Sequence, residues 1–149
     1  MKQKLSLVIL MCSFSVFSFA QKGDIETIKQ TLNNYKQKIE SLDTSGVSNL
    51  FIPKSQVIEQ GKNEGTISNY LAHHLGPELK DFKSFKFTNY NADVKVNGNY
   101  AYTTESYTYT ITLKDGKEII SNGFATSLLQ KIKNEWKIAQ THSSFRKAK

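Results

Sequence analysis

The chain changes its hydrophobic period once. Up to Pro77, apolar residues recur every three or four positions; beyond it they recur at every second position almost to the C-terminus. The first spacing belongs to a helix with one buried face and the second to strands with one buried face. The sequence therefore predicts helices first and an antiparallel sheet afterwards, an α+β arrangement. At 149 residues there is room for one core and one domain.

Residues 1–20 are set apart from this pattern. Lys2 and Lys4 precede an uncharged apolar run from Leu5 to Phe19, and Ser18-Phe19-Ala20 supplies small residues at the spacing of an export cleavage site. The run is short for a membrane span, and Met11 before Cys12 argues against lipidation, so no membrane anchor is expected. The reading is a signal peptide over 1–20 and a single domain over 21–149, periplasmic or secreted.

Removing 1–20 takes away two of the 20 basic residues and none of the 13 acidic ones, so the net charge falls from +7 to +5. It also removes Cys12, the only cysteine, which excludes disulfides, thiol catalysis and thiolate metal sites from the remainder. The positive charge is carried by scattered lysines, with Arg146 the only arginine. Reading of phosphate or guanine favours arginine, and no basic helix face is present, so no nucleic-acid partner is expected.

The first helix is expected from Asp24 as N-cap, burying Ile25, Ile28, Leu32, Tyr35, Ile39 and Leu42, with Gly46 beyond its end. A short helical piece at Val47–Phe51 is stopped by Pro53, and Gln56–Glu59 reads as a brief strand before a turn bracketed by Gly61 and Gly65. A further helix over Thr66–Leu75 is closed by Gly76-Pro77. Phe85 and Phe87, then Val94 and Val96, alternate up to the Asn97-Gly98-Asn99 hairpin. Tyr100 and Tyr102 have the opposite parity to Tyr107, Tyr109, Ile111 and Leu113. That slip predicts a bulge near Thr104–Ser106. Asp115-Gly116 turns the chain into a strand over Ile119–Lys131, and Lys133-Asn134-Glu135 into a last strand over Trp136–Ser144.

The order of these elements, with the Tyr35-centred helix, Leu50-Phe51, Val57-x-Glu59-x-Gly61, Gly65, Trp136-Lys137-Ile138 and His142-x-Ser144, resembles the nuclear transport factor 2-like (NTF2-like) superfamily, within it the SnoaL-like or DUF4440 group. The resemblance implies a cone of N-terminal helices packed on a strongly bent antiparallel sheet around an apolar cavity. It also implies sheet-to-sheet homodimers. Members include isomerases, cyclases, dehydratases and non-catalytic binding modules, so the fold does not choose a function.

Strand parity places Trp136, Ile138, Gln140, His142 and Ser144 on one face, and helical spacing places His74 within the stripe of Ile67, Tyr70, Leu71 and Leu75. The expected pocket residues are Tyr35, Glu59, His74, Trp136 and His142, around a small, partly apolar ligand and with no cofactor. An alternative is an enzyme similar to the family's ketosteroid isomerases, with Glu59 as general base and Tyr35 as oxyanion donor. The chain departs from that pattern in having Glu for Asp, Gln60 for the following proline, and no acid in Ala125-Thr126-Ser127-Leu128. His74, His142 and Glu59 form a conceivable metal set, but no HxH or HxxxH spacing supports one, and no metal is expected. A third reading is an interaction module for another envelope protein, which predicts a closed or filled cone and an exposed apolar patch.

Overall fold

The computed structural model describes residues 22–149; the leader reading lies outside them. Helix α1 covers 22–40 and is followed by a 3₁₀ turn at Val47–Leu50. Strands β1 (Phe51–Glu59) and β2 (Lys62–Gly65) form a hairpin. A second helix, α2, is regular over Ile67–Tyr70, widens to a π turn over Leu71–Leu75, and is regular again over Gly76–Asp81. The long strands β3 (Phe82–Asn97), β4 (Tyr100–Leu113), β5 (Glu118–Ile132) and β6 (Glu135–Lys147) complete the chain. The sheet order is β2-β1-β6-β5-β4-β3, and every neighbouring pair is antiparallel except β1 with β6. The α+β cone is thus present, with a mixed sheet in place of a wholly antiparallel one. The first strand can run parallel to the last because the whole chain separates them and no tight turn is needed.

Asp24 does not cap α1; it lies inside the helix. Its Oδ1 accepts hydrogen bonds from Lys131 Nζ (2.7 Å) and Trp136 Nε1 (2.9 Å), which pins the helix to the β5–β6 hairpin. Ile28, Leu32 and Ile39 form the buried stripe, packed in one core with Val57, Ile67, Leu129, Trp136 and Ile138. The helix ends with Leu42 in the left-handed region (φ 55°), and Asp43 N–H reaches back to Lys38 O.

Gly76-Pro77 does not stop α2. Gly76 N–H donates to Leu71 O, five residues back, so the helix takes in one extra residue just before the proline. Pro77 then stands in the first turn of a new regular stretch, where its missing N–H costs nothing. Glycine is required at 76 because any Cβ would overlap the Leu71 carbonyl oxygen.

The parity slip expected in β4 occurs in β3. β4 alternates without interruption, with Ala101, Thr103, Glu105, Tyr109 and Ile111 buried, and pairs with β5 in unbroken register. Tyr100 and Tyr102 point outward, at 51% and 58% exposure. β3 carries the extra residue between Thr88 and Asn91, with Asn89 at φ 53°, so the inward set changes from Phe85 and Phe87 to Tyr90, Ala92 and Val94. Apolar type misled the alternation: tyrosines sit outside here, while a threonine and a glutamate sit inside.

A second bulge lies in β6. Leu128 pairs with Gln140 but Leu129 with Ile138, which leaves Ala139 as the extra residue. Trp136 and Ile138 face the core, and past Ala139 the inward residues are Thr141, Ser143 and Phe145.

Candidate functional site

The sheet curls around an open-mouthed cavity of about 440 Å³, with α1 and α2 contributing to its wall. Aromatic residues of β3 and β4 make much of its wall. Phe85 packs on Phe87 and Tyr109 (centroids 4.9 and 5.2 Å), and Tyr107 meets Phe87 edge-on at 5.1 Å. Tyr35 projects from α1 against the edge of Phe51 and lines the same space. Burial pushes the Tyr35 phenol well above the ordinary tyrosine value, and Glu59, Tyr107 and Glu105 add to the effect. Its hydroxyl thus stays protonated, and it takes no hydrogen bond from another described residue.

Glu59 ends β1 at one side of the cavity. Its Oε2 accepts the Tyr70 hydroxyl at 3.0 Å and lies 3.4 Å from His74 Nε2. The same nitrogen is 3.2 Å from Glu78 Oε1. His74 Nδ1 lies 3.0 Å from Glu64 Oε1, off the line of a hydrogen bond, so both buried atoms lack a directional partner. Glu64 is also paired with Lys62 Nζ at 3.1 Å. His74 and Glu78, four residues apart, share one face of α2 and meet Glu59 and Glu64 of the β1–β2 hairpin there.

Burial raises the Glu59 carboxyl above the ordinary value, more than the Tyr70 hydrogen bond and the His74 charge lower it; Glu78 and Glu64 raise it further. Burial alone would lower His74, but Glu64, Glu78 and Glu59 outweigh it and raise the imidazole. Burial works against ionised Glu64 as well, yet Lys62 and His74 hold it below its usual value. His74 and Glu59 are both raised and lie 3.4 Å apart, an arrangement suited to passing a proton.

A second polar centre lies on the sheet side. Glu105 Oε2 accepts the Tyr90 hydroxyl at 2.7 Å, and its Oε1 accepts from Thr103 (3.1 Å) and Ser127 (3.2 Å). Ser127 Oγ is 3.1 Å from Thr141 Oγ1, which extends the hydroxyl chain. Sequence parity missed Glu105 because the slip was assigned to β4. Counting back in strict alternation from Ile111 through Tyr107 places it inside. Tyr70, Glu64 and Glu78 were also missed as site residues.

Of the expected pocket residues, Tyr35, Glu59 and His74 line the cavity and Trp136 and His142 do not. Trp136 is a core residue, 3% exposed, whose indole N–H is held by Asp24. His142 is exposed on the outer face of β6, turned there by the bulge at Ala139. This separates it from Glu59 and His74, so that metal set does not assemble. Among the described residues, no three His, Cys, Asp or Glu side chains are arranged to hold a metal ion.

At the mouth, Gln60 extends the parallel β1–β6 pairing with its side chain. Gln60 Nε2 donates to Phe145 O (3.1 Å) and Phe145 N–H to Gln60 Oε1 (2.9 Å), while Gln60 N–H bonds Ser143 O. This holds Phe145 over the opening, edge-on to Tyr109 at 5.6 Å.

Comparison with solved structures returns the same fold at low identity. An NTF2-like superfamily protein from Salmonella enterica serovar Typhimurium LT2 superposes with TM-score 0.72 at 21% identity, over 83% of this chain and 91% of that one. A candidate ketosteroid isomerase from Shewanella frigidimarina NCIMB 400 gives 0.67 at 23%, over 77% and 92%. A candidate scytalone dehydratase from Novosphingobium aromaticivorans DSM 12444 gives 0.72 at 14%, over 89% of each chain. No curated protein matches the sequence. The family model of the SnoaL-like domain matches residues 28–147, and the chain belongs to that family, within the NTF2-like superfamily.

Proposed function

We propose that this domain binds a small, partly apolar molecule in its conical cavity. The observation that carries the reading is one space of about 440 Å³, walled by aromatic rings, with Glu59 and Glu105 both on its lining. Apolar walls with a few convergent polar groups are the usual make-up of a small-molecule site. Native mass spectrometry of the protein from its own host tests it: a retained organic mass is the expected result. A bare chain that also fails to bind any small molecule of a broad library would overturn it.

A second reading is supported by the pairing of Glu59 with Tyr35. A carboxyl raised above its ordinary value and a protonated phenol on one cavity are the groups for moving a proton beside a carbonyl. Under this reading Glu59→Gln abolishes turnover; under the binding reading it changes affinity alone. The neighbouring candidate isomerase and dehydratase structures favour giving that test early.

Export and self-association complete the proposal. The leader at 1–20 predicts a mature chain beginning at Gln21, checked by intact mass. The outer face of the sheet carries Tyr102, Phe124 and Leu128, with Leu128 directly opposite Tyr102, as an apolar surface on which a second copy can pack. An open cavity favours ligand binding over a role as an interaction module alone.

A further inference from the structure

We propose that the molecule taken by this cavity is an organic cation, an amine on an aromatic or aliphatic body, with its charged nitrogen seated against Glu105. This rests on the ligand-binding reading above and adds the ligand's charge to it.

Glu105 is only 8% exposed, yet it lines the cavity. Its three partners, Tyr90, Thr103 and Ser127, are neutral hydroxyls, and no basic side chain among the described residues pairs with it. A carboxylate offers about four acceptor positions, two on each oxygen. Two on Oε1 and one on Oε2 are used, which leaves Oε2 able to accept once more. A buried anion supported by neutral donors alone is costly until a positive charge joins it.

The surrounding rings suit the same charge. Tyr90 and Tyr107 stack at 6.2 Å with their planes 16° apart, and Phe87 stands edge-on to Tyr107. Aromatic faces attract ammonium groups, more strongly where water is excluded. The other end of the cavity does not compete, since Glu59 already has His74 beside it.

The remaining charges disfavour an anion. Four glutamates line the cavity, Glu59, Glu64, Glu78 and Glu105, against His74, which is held among the first three, and two lysines that are both engaged: Lys36 with Glu40 (2.9 Å) and Lys62 with Glu64 (3.1 Å). The chain as a whole is basic, so the acidic lining is a local property that opposes the global field.

Three probes of one shape decide the matter: 3-phenylpropylamine, 3-phenylpropanol and 3-phenylpropionate, titrated calorimetrically into the full-length domain. The amine is expected to bind at least about tenfold more tightly than the alcohol, and the acid most weakly. Glu105→Gln should remove the amine's advantage over the alcohol, and thermal unfolding of the variant verifies the fold. If that variant does not fold, the ranking on the unaltered protein decides. An alcohol or acid that binds as tightly as the amine overturns the cation and leaves the ligand-binding reading standing. Absence of binding by all three at millimolar concentration counts against both.

Discussion

Gly123 lies against the ring of Tyr107, its register partner across β4 and β5, so closely that a Cβ would overlap the ring. The missing side chain is what lets Tyr107 lie down into the cavity wall. Gly123→Ala should destabilise the fold by about 1–3 kcal/mol through overpacking. In a Tyr107→Ala background the same substitution should cost far less, because the two positions share one space. Chemical denaturation of the four proteins measures the coupling.

His74 predicts a pH dependence of stability. Its folded value lies above the unfolded 6.5, so its contribution is complete below 6.5 and is lost as pH rises through the folded value. The difference in unfolding free energy between the protein and His74→Gln should shrink over that rise. Glu59, also raised, follows the same sign from its ordinary 4.5, so Glu59→Gln should gain in relative stability as pH increases past it. Glu64 is lowered and runs the other way, its contribution being lost as pH falls below 4.5 through its folded value.

Asp24 holds the only tryptophan of the chain. Asp24→Ala leaves the buried indole N–H and Lys131 without their acceptor, at a cost of about 1–3 kcal/mol. Trp136 fluorescence should report unfolding at a lower denaturant concentration with the slope unchanged. The Asp24 carboxyl is held below its usual value because Lys131 and Trp136 outweigh its burial. Its contribution is therefore present above 3.8 and is lost as pH falls through the folded value.

The outer face makes a prediction about assembly. Phe124→Asp places a charge in the centre of the exposed apolar surface without touching the cavity lining. Light scattering should show a dimer for the unaltered protein and a monomer for the variant, with thermal unfolding confirming that the subunit stays folded.

The architecture was readable because the period changes at the right place and the helical stripe of Ile28, Leu32 and Ile39 is strong. Tyr35 and His74 were readable from the apolar stripes of their helices, and Glu59 from its place at the end of an apolar strand beside Gly61. What escaped depended on single extra residues. A bulge beside Asn89 and another at Ala139 leave no mark in composition, yet each reverses every inward position beyond it. Assigning the first to the wrong strand hid Glu105, and not seeing the second put His142 in the pocket. The helix through Gly76-Pro77 was hidden for a similar reason, since a π turn also adds one residue without changing residue type.

Ala139 has a wider meaning. The last strand carries two complete sets of side chains beyond it: Thr141, Ser143 and Phe145 towards the cavity, and His142, Ser144 and Arg146 away from it. Loss of that one residue would exchange the sets and turn a neutral, hydroxyl-bearing wall into a basic one. Within this scaffold, ligand preference can therefore be rewritten by a change in length, with every other amino acid left as it is.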